Sequence, residues 1–409
     1  MCIFFILKKK GEIMKRIIGL IYFLTLSSLS IYAEDLPLPN WLDPSREHKK
    51  IDKIEIPKTK VPPPSDFRIP AEYEPVSAVV VSYTGYTSMI REIAKAVTNY
   101  GNAYIWVMSG PTSMSGVPKE KYVNFSIPID TVWMRDYGPF GLSKKMESIA
   151  IVDTVYRHYQ YRVNDDNVPK KIGQVQNIPV YPTYLILDGG NFMVDSYGNL
   201  FMTERTYIWN ANKSKDEVNS ILKNYFKVKN IYTFEYAGYP NEPLDGTGHI
   251  DMFMKLLNDD TVLIAKTDKE PFKSTFDKAA KFFEGREAPN GKKYTVLRVN
   301  GYYDNYVWYT YTNSLIVNGY VLMPIYSKYS SSNIEAQKLY EQAGLKVITI
   351  NSDNSITAGG SIHCVTQSIP DIGKILKREI KKDLSKELEK KDLTPNESLI
   401  KNFESFVNK

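Results

Sequence analysis

Residues 314–350 read SLIVNGYVLMPIYSKYSSSNIEAQKLYEQAGLKVITI and contain one complete repeating unit. Two apolar runs flank the turn signal Asn318-Gly319, and this pattern predicts a β-hairpin. A segment with helical spacing follows over Ser332–Ala343, and the run Lys346–Ile350 predicts a further strand. The order in this unit is therefore hairpin, helix, strand.

The same order occurs twice more upstream. The predicted elements are strands Tyr184–Asp188 and Leu200–Glu204, helix Lys215–Phe226 and strand Asn230–Phe234, then strands Ile250–Leu256 and Val262–Lys266, helix Ser274–Phe283 and strand Tyr294–Val299. A ββαβ module cannot bury its own sheet alone, so repeated modules are expected to pack around a common axis. The pattern predicts an α/β fold of propeller type.

The N-terminus has the features of a signal peptide. Met14 is the predicted start, Lys15-Arg16 is a cationic segment, and Ile17–Leu26 is apolar but too short to span a bilayer comfortably. Ala33 is suited to cleavage before Glu34, and no cysteine follows it that could carry a lipid. We therefore expect a secreted or periplasmic protein without a membrane anchor after residues 1–33 are removed.

The rest of the chain divides by composition. Residues 34–66 are polar and Pro-rich and predict a linker, 67–370 predict the main α/β domain, and 371–409 predict a basic helical tail. The net charge is +6 without an Arg-rich face interleaved with aromatic residues. Nucleic acid is therefore not an expected partner.

Cysteine usage draws attention to one residue. Cys2 lies upstream of the predicted start, so Cys364 is the only thiol of the mature chain and no internal disulfide can form. An inert buried thiol is the ordinary interpretation of a lone cysteine. A lone thiol in an oxidising compartment is a liability unless it has a use, so the flanking residues decide.

Four glycine-containing segments combine residues that carry chemistry with backbone that can approach a ligand closely. They are 133–139 (WMRDYGP), 187–191 (LDGGN), 246–251 (GTGHID) and 359–367 (GGSIHCVTQ). Singly, each has an ordinary interpretation: Asp136 in a surface ion pair with Arg135, His249 in the core, and Asp188 or Asp251 in a turn. Together they place carboxylates, a histidine and the one mature thiol beside glycines.

This set of residue types favours guanidinium chemistry. Paired carboxylates hold a planar guanidinium, a thiolate can attack its central carbon, and a histidine can protonate the leaving nitrogen. A thiol protease would use Cys364 and His249 but has no role for several carboxylates. A metal site is less favoured because the histidines and the cysteine lack short ligand spacing.

The four segments together resemble the bacterial peptidyl-arginine deiminase/agmatine deiminase family, part of the guanidino-modifying superfamily, over Phe67–Pro370. The resemblance implies a pseudo-five-fold α/β-propeller built from ββαβ modules and no cofactor. It implies Cys364 as nucleophile, His249 as general acid/base, and Asp136 and Asp251 as guanidinium clamps. Further substrate-binding residues implied by the matching motifs are Asn313, Trp133 and Asp188, the last expected to orient His249 although this motif commonly carries Glu.

The substrate depends on the loop 156–166. It resembles the loop of secreted peptidyl-arginine deiminases in which an arginine recognises a C-terminal carboxylate, and Arg162 matches better than Arg157. Solvated surface arginines are the alternative interpretation. The first hypothesis is therefore a secreted deiminase that converts C-terminal peptidyl-arginine in peptides or proteins to citrulline and ammonia. Agmatine deiminase, which forms N-carbamoylputrescine, is second, and a catalytically silent guanidinium-binding protein is third.

Overall fold

The computed structural model describes residues 36–53, 61–144 and 148–371. Residues 36–38 belong to a separate unit, and the described residues from Pro39 onward form one compact unit. The predicted signal peptide and, beyond Asp371, the predicted helical tail lie outside the described residues. Among the helices of the described ranges, none is both long and apolar enough to cross a membrane.

Within the described residues, five sheets repeat one plan in which an antiparallel pair of strands is extended by a parallel strand. The strands are β1 (Val76–Ser82), β2 (Tyr104–Met108), β3 (Tyr122–Phe125), β4 (Phe140–Lys144), β5 (Ser148–Val155), β6 (Val180–Ile186), β7 (Met193–Val194), β8 (Asn199–Thr203), β9 (Asn230–Phe234), β10 (Gly238–Tyr239), β11 (Glu242–Pro243), β12 (Met254–Leu256), β13 (Thr261–Lys266), β14 (Thr295–Asn300), β15 (Tyr302–Asp304), β16 (Val307–Tyr309), β17 (Leu315–Val317), β18 (Tyr320–Ile325), β19 (Lys346–Asn351) and β20 (Thr366–Pro370).

The sheets are β20-β1-β2-β3, β4-β5-β6, β7-β8-β9, β12-β13-β14 and β17-β18-β19, while β10-β11 and β15-β16 form small ribbons. The helices are α1 (Thr87–Asn99), α2 (Met134–Tyr137), α3 (Val163–Asp166), α4 (Val168–Gln176), α5 (Arg205–Trp209), α6 (Lys215–Phe226), α7 (Phe272–Phe283), α8 (Ser330–Gln342) and α9 (Asp353–Ile356). The longer helices α1, α4, α6, α7 and α8 each connect two parallel strands of one sheet. The predicted α/β-propeller of ββαβ modules is confirmed.

The end of the described chain completes the first sheet. Strand β20 pairs antiparallel with β1, with Val79 opposite Ser368 and Val81 opposite Thr366. Every residue of β1 is buried, as its VSAVVVS sequence indicates for a central strand covered on both faces. Because β20 also lies beside β4, the last strand joins the first and second modules.

One predicted strand pairing is wrong. The segment predicted as Tyr184–Asp188 belongs to β6, which pairs in parallel with β5 and therefore ends the second module. The hairpin partner of β8 is the short strand β7 instead. The chain leaves β6 before Asp188 and makes a helical turn over Gly189–Asn191, so the next hairpin can begin only afterwards. A similar turn over Ile250–Met252 delays β12, which had been predicted to begin at Ile250.

Local sequence signals account for the connecting helices. Helix α6 begins after Ser214, whose hydroxyl accepts from the backbone N–H of Glu217 at 3.2 Å, while the Glu217 carboxylate accepts from the Ser214 N–H at 2.7 Å. This reciprocal capping satisfies two donors of the first turn. Its buried face includes Val218, Ile221 and Leu222, at the spacing that an amphipathic helix requires.

The repeat explains how distant motifs reach one place. The segments that precede the first strands of the five sheets contain, in chain order, Asp136 before β4, Asp188 before β7, Asp251 before β12, Asn313 before β17 and Cys364 before β20. Equivalent positions in modules arranged around one axis converge on that axis. The candidate site therefore lies where the five modules meet.

Candidate active site

The thiol of Cys364 is buried and held by one amide side chain. Its Sγ lies 3.1 Å from Asn313 Nδ2 and 3.8 Å from Asp251 Oδ2. The same amide accepts, through Oδ1, from the backbone N–H groups of Ser361 at 2.9 Å and Cys364 at 3.3 Å. Asn313 thus fixes the loop that carries the thiol as well as the thiol itself.

Glycine and tryptophan shape the approach to this thiol. A Cβ at Gly360 would lie 2.7 Å from Cys364 Sγ and 2.8 Å from Cζ3 of Trp133, so only glycine fits between them. Trp133 is fully buried, and its ring centroid lies 6.3 Å from that of Tyr86. Trp133, predicted to bind substrate, is therefore close to the thiol.

His249 stands between two buried carboxylates. Its Nδ1 lies 3.5 Å from Asp136 Oδ1, and its Nε2 lies 3.3 Å from Asp188 Oδ2. The ring packs edge-on against Trp209 with centroids 5.8 Å apart. Asp188 therefore lies beside His249, where the resemblance places it.

The loop before His249 is organised by a buried aspartate. Asp245 Oδ1 accepts from the backbone N–H groups of Thr247 at 2.8 Å and Gly248 at 2.6 Å. Thr203 Oγ1 donates to the Gly248 carbonyl at 2.6 Å, which ties this loop to the end of β8. Local side-chain bonds of this kind stabilise a turn without regular structure.

Three functional groups converge on Gly190. A Cβ there would lie 2.4 Å from His249 Nδ1, 2.9 Å from Asp136 Oδ1 and 3.2 Å from Asp251 Oδ2. The Gly190 N–H donates to Asp136 Oδ1 at 3.1 Å. The second glycine of the LDGGN motif is therefore required because any side chain would occupy the space that these groups share.

The carboxylates of Asp136 and Asp251 are fully buried and incompletely paired. Within residues 39–53, 61–144 and 148–371, no partner contacts Asp136 Oδ2 or Asp251 Oδ1 by a hydrogen bond. Burial raises the pKa of Asp136 to about 6, and the nearby charge of Asp188 adds to this effect. Burial, followed by the charges of Asp251 and Asp136, raises the pKa of the Cys364 thiol well above its ordinary range. We call Asp136, Asp188, His249, Asp251 and Cys364 the acidic cleft.

A second charged group lies behind Asp251 and was not predicted. His363 Nδ1 lies 2.6 Å from Asp251 Oδ2, and His363 Nε2 lies 2.6 Å from Glu72 Oε2. Glu72 also pairs with the buried Lys255 and, at 3.5 Å, with Arg135. We call Glu72, Arg135, Lys255 and His363 the Glu72 network. The adjacency of His363 to Cys364 was the only signal in the sequence, since Glu72 and Lys255 lie in segments without a motif.

Charge complementarity sets the ionisation of this network. Burial opposes the charged form of Glu72, but the positive charges of Lys255 and His363 outweigh it and hold the pKa of Glu72 well below its usual range. Arg135 also donates to Gln367 Oε1 at 2.9 Å and to the carbonyl of His363 at 3.3 Å. The ordinary interpretation of Arg135 as a surface residue is therefore wrong, because its guanidinium joins the first motif to the fourth.

Arg157 lies at the edge of the acidic cleft. Its Nε is 2.9 Å from Asp188 Oδ2, and its Nη1 is 3.4 Å from His249 Nε2. Its Nη2 donates to the carbonyl and to the side chain of Asn40, at 2.7 and 3.0 Å. The predicted role in substrate binding is compatible with this position, but the guanidinium is already engaged by protein groups.

Arg162 lies elsewhere than predicted. It is fully buried and binds Glu47 through Nε at 2.6 Å and Nη2 at 2.9 Å, with further bonds to Tyr156 and to the carbonyls of Pro39 and Trp41. A charge so fully engaged within the protein cannot read a substrate carboxylate in this conformation. The expectation that Arg162 contacts substrate is therefore corrected: it anchors the N-terminal segment.

The predicted linker is also corrected in part. Residues 39–53 have no helix or strand but pack on the catalytic domain, since the Asn40 N–H donates to the Ala358 carbonyl at 2.8 Å. The Trp41 ring lies against Gly246 and Gly359, near the start of two of the motifs. Sequence composition misses this because the segment is fixed by partners more than 100 positions away. Residues 54–60 of the predicted linker lie outside the described residues.

Part of the acidic cleft could also be interpreted as a metal site. Asp136, Asp188 and His249 each offer a ligand atom, and these atoms lie within 4.8 Å of one another. The nearby guanidinium of Arg157 already pairs with Asp188, so a divalent cation there would meet a positive charge.

Comparison with known proteins decides the family. The family model of the Porphyromonas-type peptidyl-arginine deiminase matches residues 68–370. The chain belongs to this family. A provisionally named agmatine deiminase of Marinomonas sp. is 24% identical over 357 residues, which cover 75% of this chain and 95% of the relative. The resemblance stated on the four motifs is thereby confirmed.

Solved structures of proteins named as deiminases show the same fold. Agmatine deiminase of Enterococcus faecalis is 20% identical with a TM-score of 0.67, covering 78% of this chain and all of that one. A provisionally named arginine deiminase of Porphyromonas gingivalis is 19% identical with a TM-score of 0.65, covering 75% and 99%. Membership of the deiminase family makes the chain a hydrolase that acts on C–N bonds of amidines. The roles assigned to individual residues remain predictions.

Proposed function

We propose that this deiminase hydrolyses the guanidinium group of an arginine-like molecule to a ureido group and ammonia, with Cys364 as nucleophile. One observation carries the proposal: the buried carboxylates of Asp136 and Asp251 each keep an oxygen that accepts no hydrogen bond from any described group, and the other oxygen of Asp251 lies 3.8 Å from the thiol of Cys364. An unpaired buried anion is costly, so this arrangement calls for a cationic ligand. A guanidinium supplies a planar charge with donors for both carboxylates.

The proposed first half-reaction forms a covalent intermediate. Substrate cation entering the acidic cleft offsets the negative charge that opposes ionisation of Cys364, and the thiol proton passes to His249. The Sγ bonds to the guanidinium carbon, His249 protonates one terminal nitrogen, and the C–N bond breaks to release ammonia. An S-alkyl thiouronium remains on Cys364.

The second half-reaction consumes water. His249 takes a proton from water as the oxygen adds to the thiouronium carbon. The C–S bond then breaks, leaving a ureido product, and Cys364 recovers its proton from His249. Overall, one guanidinium cation and one water give a neutral ureido group and ammonia, and the ammonia takes up the remaining proton as ammonium.

Two substrate classes are supported by different observations. The Marinomonas and Enterococcus relatives bear the name agmatine deiminase, which favours agmatine. A carboxylated arginine, as at the C-terminus of a peptide, is favoured by the basic lining of a pocket beside His249, where Arg157 and Arg205 lie. Agmatine has no carboxylate to satisfy such a lining.

Ammonia release from matched substrates tests the proposal. Agmatine, L-arginine and a peptide ending in arginine are incubated with the mature protein, and the ureido product is identified for each. Ammonia with citrulline or N-carbamoylputrescine is expected from at least one of them and is expected to be lost in Cys364→Ala. Binding without turnover would instead support a silent guanidinium-binding protein, and turnover by Cys364→Ala would contradict the mechanism.

We also propose that the protein is exported. Support comes from the cationic segment at Lys15-Arg16, the apolar run Ile17–Leu26 and the suitable cleavage position after Ala33. N-terminal sequencing of the protein recovered from the periplasm or medium is expected to begin at Glu34. Recovery of the uncleaved chain from the cytoplasm would contradict export.

A further inference from the structure

Arg205, which begins α5, is a buried cation. It is 8% exposed, and in the part of the chain that the structure describes no carboxylate pairs with it and its Nε has no hydrogen-bond partner. Its guanidinium lies over the rings of Trp209 and Tyr236, at 5.2 and 5.4 Å from their centroids. Aromatic faces attract such a charge only weakly compared with a carboxylate.

The location of Arg205 links it to the acidic cleft. Its side chain lies against Gly248, since a Cβ at that glycine would meet Arg205 Cδ at 3.0 Å, and His249 is the next residue along the chain. Trp209 neighbours both groups, since the guanidinium of Arg205 lies over its ring at 5.2 Å and the ring of His249 is perpendicular to it with centroids 5.8 Å apart. Arg205 is therefore one side chain away from the proposed general acid/base.

Arg205 opens into a pocket with a basic lining. The pocket is lined mainly by Trp41, Arg157, His158, Arg205, Trp209 and Asn241, and none of the described residues that line it is acidic. Arg157 is already engaged by Asp188 and Asn40, whereas Arg205 has no carboxylate partner among the described residues, so Arg205 is the arginine of this pocket whose charge is left for a ligand. Burial and the charge of Arg157 lower the pKa of Arg205, and a bound anion would oppose both effects.

The pocket and the acidic cleft have opposite charge and share walls. Arg157 lines the pocket and contacts His249, and Trp209 lines the pocket and packs on His249. We propose that this pocket binds the carboxylate of an arginine-like substrate, with Arg205 as the residue that determines preference for carboxylated over uncharged ends. This inference rests on the proposed deiminase activity and assigns the carboxylate to Arg205 rather than to Arg162.

Two substrates that differ only in the carboxylate test the inference. N-benzoyl-L-arginine and N-benzoyl-L-argininamide are compared by kcat/KM on the wild type, Arg205→Gln and Arg205→Lys. One charge-assisted contact predicts a preference for the acid of about 10- to 100-fold in the wild type, expressed mainly in KM. Arg205→Gln is expected to remove the preference by weakening the acid far more than the amide, and Arg205→Lys to retain part of it.

A matched arginine controls for charge and ring contact. Arg286 lies over the ring of Phe282 at 3.9 Å but is exposed and does not line the pocket. Arg286→Gln is expected to leave the preference for the acid unchanged. Equal losses on acid and amide in Arg205→Gln, or no preference in the wild type, would overturn the inference.

A binding measurement distinguishes an error in the proposed carboxylate pocket from an error in the proposed deiminase activity. If the wild type hydrolyses neither compound, the proposed deiminase activity fails for this substrate class, and calorimetry on Cys364→Ser then examines the pocket alone. Tighter binding of the acid than of the amide, lost on adding Arg205→Gln, supports the subsite. Equal binding of the two compounds overturns it.

Discussion

Asp251 lies between two groups of buried charge that differ in balance. On one side, the acidic cleft contains three carboxylates, two of them beside His249, and among the described residues Arg157 is the one arginine or lysine that pairs with any of the three. On the other side, the Glu72 network pairs Glu72 with Lys255, Arg135 and His363. The same protein therefore balances one buried group and leaves the other short of positive charge, and this difference distinguishes a structural ion network from a site that awaits a cation.

The largest expected effect comes from removing charge at the point where the two groups meet. Asp251→Asn keeps the shape of the side chain but removes the anion that faces the substrate, so we expect kcat/KM to fall by about 10²- to 10⁴-fold. Steady-state ammonia release measures it. Asp277→Asn, at an exposed pair with Lys273, is the control and is expected to leave kcat/KM unchanged. A loss below tenfold in Asp251→Asn would contradict a clamp on the substrate cation.

A substitution in the Glu72 network is expected to lower the free energy of unfolding rather than kcat/KM. Lys255→Met leaves Glu72 without its closest buried partner, so the free energy of unfolding is expected to fall by about 3–5 kcal/mol. Urea unfolding measures this, with Lys278→Met at an exposed pair as a control of nearly unchanged stability. If Lys255→Met lowered kcat/KM as much as Asp251→Asn while stability was retained, the distinction between the two groups would fail.

The smallest expected effect is a gain in the free energy of unfolding, and it depends on pH. The pKa of Asp136 is raised to about 6 from 3.8, so the folded protein binds a proton more readily than the unfolded chain between these values. Stability therefore falls as pH rises through this window, by up to about 3 kcal/mol, and the full loss is present above pH 6. Asp136→Asn removes this dependence and is expected to unfold with a higher free energy than the wild type at pH 8.

Urea unfolding of both proteins at pH 5 and pH 8 checks the sign. The advantage of Asp136→Asn is expected to be larger at pH 8 than at pH 5, although the variant loses activity. A variant less stable than the wild type at pH 8 would show that the Asp136 charge is already compensated in the free protein.

The sequence predicts the acidic cleft well because its members lie in short motifs with glycines. Asp136, Asp188, His249, Asp251 and Cys364 each stand next to a module boundary, and the repeat brings those boundaries together. Three modules are recognisable from hairpin and helix patterns, whereas the module completed by β20 joins segments from opposite ends of the domain. No local pattern announces a pairing of that kind.

Partners in space explain what the sequence could not predict. Arg157 and Arg162 lie in one loop and look alike in sequence, but Glu47 pairs with Arg162 and thereby holds it away from the site. Arg205 lies in a segment without a motif. It becomes a candidate carboxylate-binding residue only because no acidic partner contacts it among the described residues. Whether a buried charge has a partner of opposite sign depends on residues distant in sequence, and periodicity and motif spacing cannot predict these partners.

The most direct test of the central claim is the covalent state of Cys364 during turnover. Wild-type protein mixed with substrate is quenched in acid within one turnover, and intact mass followed by peptide mapping locates any adduct. We predict a thiouronium adduct, the substrate mass less ammonia, on the peptide that contains Cys364, absent from Cys364→Ala. Turnover with unmodified Cys364 throughout, or with an adduct on another residue, would contradict the assignment of this thiol as the nucleophile.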